Sequence, residues 1–558
     1  MRPTERRHPP SKQAPGWPLV LIIGLGIVAV AAAWFTFGGS LTGSGSNHPD
    51  RYVEAVVGTP SRANPLFAYL NDTDRDLTSL VFSGLTRLSP DGQVLPDLAE
   101  SWEISDDGRA ITFHLRAGIT FHTGSPFTAA DVIFTYNLLA DPNLQGDPDQ
   151  APLWRQVHCA APDELTVACE LPAPFAPFPA YATIGILPRQ ILEGVDAATI
   201  GDHDFNRSPV GTGPYRLAQL SDTRATLRAH ASYHLGAPLV NEIELRFFAD
   251  APGAVAAILR GDADGILVDS KVGQAELDEL SAAGGLKTYS ANRTAYTALY
   301  LNTGKPPLND PEVRTAIAQA VDIDSIVGEL LGGLAARATS PIVPGTWAFN
   351  PDVAPYEHDE DDARDLLESA GWLLPEDGDV RLRNDVELRI SLMTDQDPVR
   401  AALAERIGEA LGDVGIAVTV VPEESANLVR DFLIPREYQA AVFGWDQGLD
   451  PDPYPAWHSS QAAGNGRNLA DYRNEEADSL MEEARRSSDI DRRQSLYYTF
   501  QEIFHADVPS LILYYPVYNY LVRDNVKGVE LGTLFTTGSR FSNVYEWDLG
   551  EAARVGGE

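Results

Sequence analysis

One uncharged apolar run near the start of the chain, beginning at Leu19 and ending at Phe37, most constrains what this sequence can fold into. At a helical rise residues 19–37 reach about 28 Å, the thickness of a bilayer core. Signal-peptide apolar regions are shorter, about 7–15 residues, so an uncleaved transmembrane anchor is expected. Ala29 to Ala33 keep a cleaved signal as the alternative. Arg2, Arg6, Arg7 and Lys12 make residues 1–18 a basic cytoplasmic tail, which places everything after the run outside. Residues 38–50, opening Gly38-Gly39-Ser40, read as a flexible linker, and no cysteine near the end of the run could carry a lipid.

The rest of the chain is too long for one core, and 558 residues in all suggest two to four domains. The formal net charge of −37 repels phosphate backbones, so no nucleic-acid partner is expected. Neutral or cationic ligands fit that field, although spread over a large surface such charge chiefly serves solubility. Cys159 and Cys169 flank a Pro162-Asp163-Glu164 turn. On adjacent antiparallel strands they could meet and bond in an oxidising compartment, two buried free thiols being the alternative.

Ile111, Phe113 and Leu115 alternate with polar residues as in a half-buried strand. Thr128, with Asp131 three positions on, predicts a helix start, and Asp310-Pro311 predicts another. A helix carrying Leu366 and Leu367 should stop at Gly371, and a helix over 400–411 should break at Gly415 before a strand over 416–421. Such alternation indicates an α/β domain. Long helices over 475–504 precede an aromatic segment, Leu513-Tyr514-Tyr515.

Catalysis needs a small set of groups within hydrogen-bond reach, and no local signature supplies one. There is no Gly-x-Ser-x-Gly elbow, no His-Glu-x-x-His helix and no phosphate loop, since Pro214 follows Gly211-Thr212-Gly213. The acidic clusters Asp202-His203-Asp204 and His358 through Asp362 lack metal-ligand spacing and read as solvated charge. No enzyme, cofactor or metal is therefore expected. The least periodic stretch runs from Phe443 through Trp445, Asp446, Gly448, Asp450-Pro451-Asp452-Pro453 and Tyr454 to Gln461. Rigid prolines, aromatic faces and carboxylates suit a binding loop, with a proline-stiffened surface loop as the alternative.

With these residues in view, the chain resembles the peptide/oligopeptide class of ABC-transporter substrate-binding proteins, extracellular solute-binding protein family 5. The resemblance is carried, in order, by Val81-Phe82-Ser83-Gly84-Leu85-Thr86, by Leu95-Pro96-Asp97-Leu98 through Trp102, and by Asp106-Asp107-Gly108. Phe113-His114-Leu115-Arg116, Phe127 through Val132, Gly211 through Tyr215, Leu301-Asn302-Thr303, Val313 through Ile317 and the Asp450-Pro451-Asp452-Pro453 region complete it.

The resemblance implies an α/β, periplasmic-binding-protein-like, two-lobed fold with an extra inserted domain and a ligand cleft between the lobes. Residues 51–90, 207–302 and 511–558 would form a discontinuous first domain, 91–206 the inserted domain and 303–510 the second lobe. Hinge closure would capture an oligopeptide outside the membrane and deliver it to ABC transporter permease subunits, the protein acting as a monomer. Trp445, Asp446, Asp450 and Tyr454 are the first expected contacts, with Tyr69 and Trp154 facing the cleft by analogy and core packing as their alternative.

Peptide binders of this class hold the ligand's α-amine with an aspartate three residues after the tryptophan, where this chain has Gly448. Dipeptide binders also use an arginine in the segment matching 392–398, which here carries Asp395 and Asp397 instead. A strict dipeptide binder is therefore not expected. An oligosaccharide or metal chelate is the alternative solute, and an extracellular hydrolase the alternative of a different class.

Overall fold

The computed structural model describes residues 51–270 and 272–550, so the tail, apolar run and linker expected over 1–50 lie outside them. Among the described residues no helix is long and apolar enough to cross a membrane. In the first lobe the buried strand Arg51–Val57 lies parallel to Glu242–Phe248 and to Gly265–Val268. In the second lobe Arg389–Thr394 lies parallel to Ala417–Pro422 and to Ala440–Asp446. Parallel strands need crossover helices, and these pack their apolar faces on the sheet, as Pro398–Asp413 does with Leu403, Ile407 and Leu411.

Two adjacent strands carry the chain between the lobes. Ser510–Arg523 pairs with Ala295–Leu301 through residues 510–514 and with Leu286–Asn292 through residues 517–523. Its partner makes the same passage at Arg293 and Thr294. Pro516 sits at the changeover, where it can donate no ladder hydrogen bond but accepts one from the Arg293 N–H at 2.9 Å. Only the partner strand lapses at this level, since residues 514–516 of Ser510–Arg523 pair with Ala335–Arg337.

The predicted starts and stops are present. Asp131 accepts from the Thr128 N–H at 2.9 Å, Asp310 caps Pro311–Ala320, and Gly371 and Gly415 take left-handed φ values of 81° and 87°. A separate four-stranded antiparallel sheet contains Ala99–Ile104, Ala110–Leu115, Thr166–Glu170 and His158–Asp163. Cys159 and Cys169 stand directly opposite on the last two of these, their Cα atoms 4.0 Å apart, and are joined as a disulfide.

The Gly211-Thr212-Gly213 turn is a packing device. A Cβ on Gly211 would lie 2.0 Å from the Val81 carbonyl oxygen, and one on Gly213 would lie 2.6 Å from the Val81 carbonyl carbon. His122 closes the turn from the other side. Its Nδ1 accepts from the Gly211 N–H at 3.3 Å, and its Nε2 donates to the Gly213 carbonyl at 3.0 Å. That pair of bonds requires the neutral ring, and burial holds the imidazole down at about 4.

Candidate functional site

In open α/β sheets ligands bind beyond the carboxyl ends of the parallel strands. On the first lobe Val57 ends its strand, and Gly58 and Thr59 come next. The helix Asp72–Val81 then starts behind its Asn71 cap, whose side chain accepts from the Thr73 N–H. With Tyr69, Arg75 and the crossover residue Arg293, these groups line a cavity of about 530 Å³. That volume lies within the range that holds small organic ligands, and the lining is largely polar.

The facing ends of the second lobe's strands carry aspartates. Asp395 follows Thr394 and accepts two hydrogen bonds from Arg400, at 2.8 and 2.7 Å. Burial works to raise the Asp395 carboxyl, but the Arg400 hydrogen bonds and charge outweigh it and hold the group below its ordinary value. Asp446 ends its strand and pairs with Arg293 at 2.7 Å, which ties the second lobe to the rim of the cavity. Trp445, one residue earlier, stands opposite Tyr296 across the ladder and is half-buried.

The segment after Asp446 is held by charge rather than by periodicity. Asp450 is 8 % exposed, and its two oxygens accept from Arg493 at 2.6 and 3.1 Å. Burial raises the Asp450 carboxyl above its ordinary value, and the Arg493 guanidinium offsets only part of that rise. Asp452 accepts from Arg485 at 2.6 Å. The Arg485 guanidinium lies 3.8 Å from the Tyr454 ring centroid and 5.3 Å from that of Phe175. Tyr454 also stacks on His458 at 4.0 Å. The Ala176 N–H donates to the Arg485 carbonyl at 2.8 Å, and Arg467 pairs with Asp149, so segments 147–181 and 450–485 are bridged twice.

The expected site residues therefore fall into three places. Tyr69 lines the cavity, and Arg293 connects Asp446 to it. Asp450 and Tyr454 belong to the adjoining Arg493 and Arg485 cluster. Trp154 belongs to neither group: it is 1 % exposed and packs between Tyr136 and Phe178 at 4.4 and 5.6 Å, which corrects the expectation that it faces the cleft. Tryptophan there fills the gap between the helix Ala129–Ala140 and the short helical turn Phe178–Tyr181. Sequence reading missed Arg293, Arg400, Arg485 and Arg493. Arg400, Arg485 and Arg493 lie on helices, where arginines look like solvent-facing charge, and Arg293 lies between two strands; only the fold brings each to its aspartate. Among the described residues no group of acidic, histidine or cysteine side chains could hold a metal ion.

Comparison with known proteins gives the same architecture. The sequence model of the bacterial extracellular solute-binding proteins, family 5 (middle region), matches residues 93–467. The oligopeptide-binding protein AppA of Bacillus subtilis is 28% identical over 483 residues, covering 85% of this chain and 88% of AppA. The solved structure of B. subtilis AppA in complex with a nonapeptide is 27% identical with a TM-score of 0.67, covering 91% of this chain and 100% of that one. NikZ of Campylobacter jejuni in complex with Ni(L-His) is 28% identical with a TM-score of 0.69, covering 90% of this chain and 99% of that one.

Proposed function

The chain belongs to the bacterial extracellular solute-binding proteins of family 5, and from that footing we propose that it captures oligopeptides outside the cytoplasmic membrane for an ABC importer. The observation that carries the reading is the placement of the cavity. It lies at the carboxyl end of the first lobe's strand Arg51–Val57, is rimmed by Arg293 at the lobe crossing, and is tied by Asp446 to the end of the other lobe's strand Ala440–Asp446. Closure of two lobes over such a site buries a ligand almost entirely and leaves strand-end peptide groups to bond its backbone. Binding then changes the shape that permease subunits meet.

The finer parts of the proposal rest on the sequence. Residues 51–90, 207–294 and 515–558 act as one domain, 91–206 as an insertion and 295–514 as the second lobe, the expected bounds of 302 and 511 moving because Ala295–Leu301 pairs with Ala440–Asp446 and with residues 510–514. The strand order, in which 51–57, 215–268 and 517–523 share the first half of the sheet, supports this division. The run 19–37 anchors a monomer to the outer face of the membrane. No catalytic step is assigned. A metal chelate is the second reading, favoured by the likeness to NikZ with its bound Ni(L-His).

Native mass spectrometry of the full-length chain, purified in detergent from cells grown in peptide-rich medium, tests the proposal. A heterogeneous set of co-purified peptides is expected. One reproducible non-peptide mass would replace the peptide reading and keep the receptor.

A further inference from the structure

We infer that Leu70 is a specificity-determining residue of the cavity, selecting peptides that carry a large aliphatic or aromatic side chain to lie against it. This deepens the peptide reading above and rests on it. Leu70 is 55 % exposed and lines the cavity. A lone leucine on an open surface needs no explanation, but this one stands in the wall of a site whose other members are mostly polar. It belongs to none of the hydrophobic cores, so a bound ligand is what can cover its apolar surface.

The backbone that presents Leu70 is held from both sides. Leu66 and Phe67, just before it, are buried. The Leu70 N–H donates to the Phe67 carbonyl at 3.2 Å, which closes the single helical turn Ala68–Leu70. The Tyr69 carbonyl accepts from Arg75 at 2.8 Å, and the Tyr69 hydroxyl donates to the Gln145 carbonyl at 3.3 Å. On the other side the Asn71 side chain donates to the Thr59 carbonyl at 2.8 Å and accepts from the Thr73 N–H at 2.8 Å. This turn has little left to order when a ligand arrives, so covering its leucine converts to affinity with small entropic loss. The polar members of the wall suit peptide groups and water, and they give a large apolar side chain no advantage over a small one. Leu70 supplies that advantage.

Two pools of nine-residue peptides test this on the full-length protein in detergent, with retained peptide counted by mass spectrometry. Both are random in Gly, Ala, Ser, Thr, Asn and Gln, and one pool also carries a single Leu or Phe at a random position. The wild type should retain the Leu/Phe pool about fivefold over the other, the gain from covering roughly half a leucine side chain. Leu70→Asn should bring the two pools within a factor of about two, and Leu70→Ala should lower the ratio in the same direction. Leu239→Asn removes a similarly exposed leucine, at 61 %, that lies outside the cavity wall, and should leave the ratio at about fivefold. Equal retention of the two pools by the wild type, or a fall in the ratio as large with Leu239→Asn as with Leu70→Asn, would overturn the inference and leave the peptide reading standing. A preference that survived both Leu70 substitutions would do the same, since it would place the selection elsewhere. Retention of neither pool by the wild type would overturn both readings.

Discussion

The turn 211–215 and the segment 450–454 resemble each other in sequence, both short, proline-bearing and without periodicity, but opposite means hold them in place. The turn is locked by backbone proximity. Gly211 and Gly213 lie against the end of the Asp72–Val81 helix with no room for a side chain, and the neutral His122 ring bonds both glycines. The other segment is locked by side-chain charge, with Asp450 on Arg493 and Asp452 on Arg485. Backbone packing fixes a joint once and for all. Ion pairs hold a loop through its side chains, and they set the electrostatics around it.

The contrast can be broken from either side. The largest expected effect is Arg493→Met, which strands the buried Asp450 carboxylate and should cost about 3–5 kcal/mol in denaturant unfolding. The double variant Arg493→Met, Asp450→Leu should recover most of that loss, because it removes both charges together. Gly211→Ala drives a methyl group into the Val81 carbonyl and should cost about 1–3 kcal/mol, read as a lower melting temperature that no change of pH restores.

His122 gives a smaller, pH-dependent effect. Its folded-state value near 4 lies below the ordinary 6.5, so the folded state binds fewer protons between the two. Stability is complete above about pH 6.5 and is lost as the pH falls towards 4, with protonation of Nδ1 breaking the bond from Gly211. The ring is only partly buried, so the loss should be about 2 kcal/mol, and His122→Gln should flatten the pH profile of the urea midpoint over that window. The smallest effect is expected for Asp446→Asn. Its pair with Arg293 is half exposed and should be worth under about 1 kcal/mol of stability.

The same contrast explains how much of the molecule was legible in the sequence. Local rules predicted local features: the Thr128 and Asp131 capping box, the Asp310-Pro311 start, the Gly371 and Gly415 stops, and the Cys159–Cys169 disulfide across a tight hairpin. Those signals lie within about ten residues of chain. The site depends on longer reach. Asp450 and Arg493 are 43 residues apart, and Asp446 and Arg293 are 153 apart. Hydrophobic periodicity cannot register two polar residues that meet only after the lobes have folded. Trp154 failed for a related reason: a large aromatic suits a cleft wall and a domain core equally well, and only packing decides.

Hydrogen–deuterium exchange of the full-length chain, with and without a saturating pool of nine-residue peptides, tests capture between two hinged lobes most directly. Slowed exchange is predicted in both 58–75 and 444–454, which belong to opposite lobes, with the paired core of Ser510–Arg523 unchanged. Protection confined to one lobe, or none at all, would contradict the account.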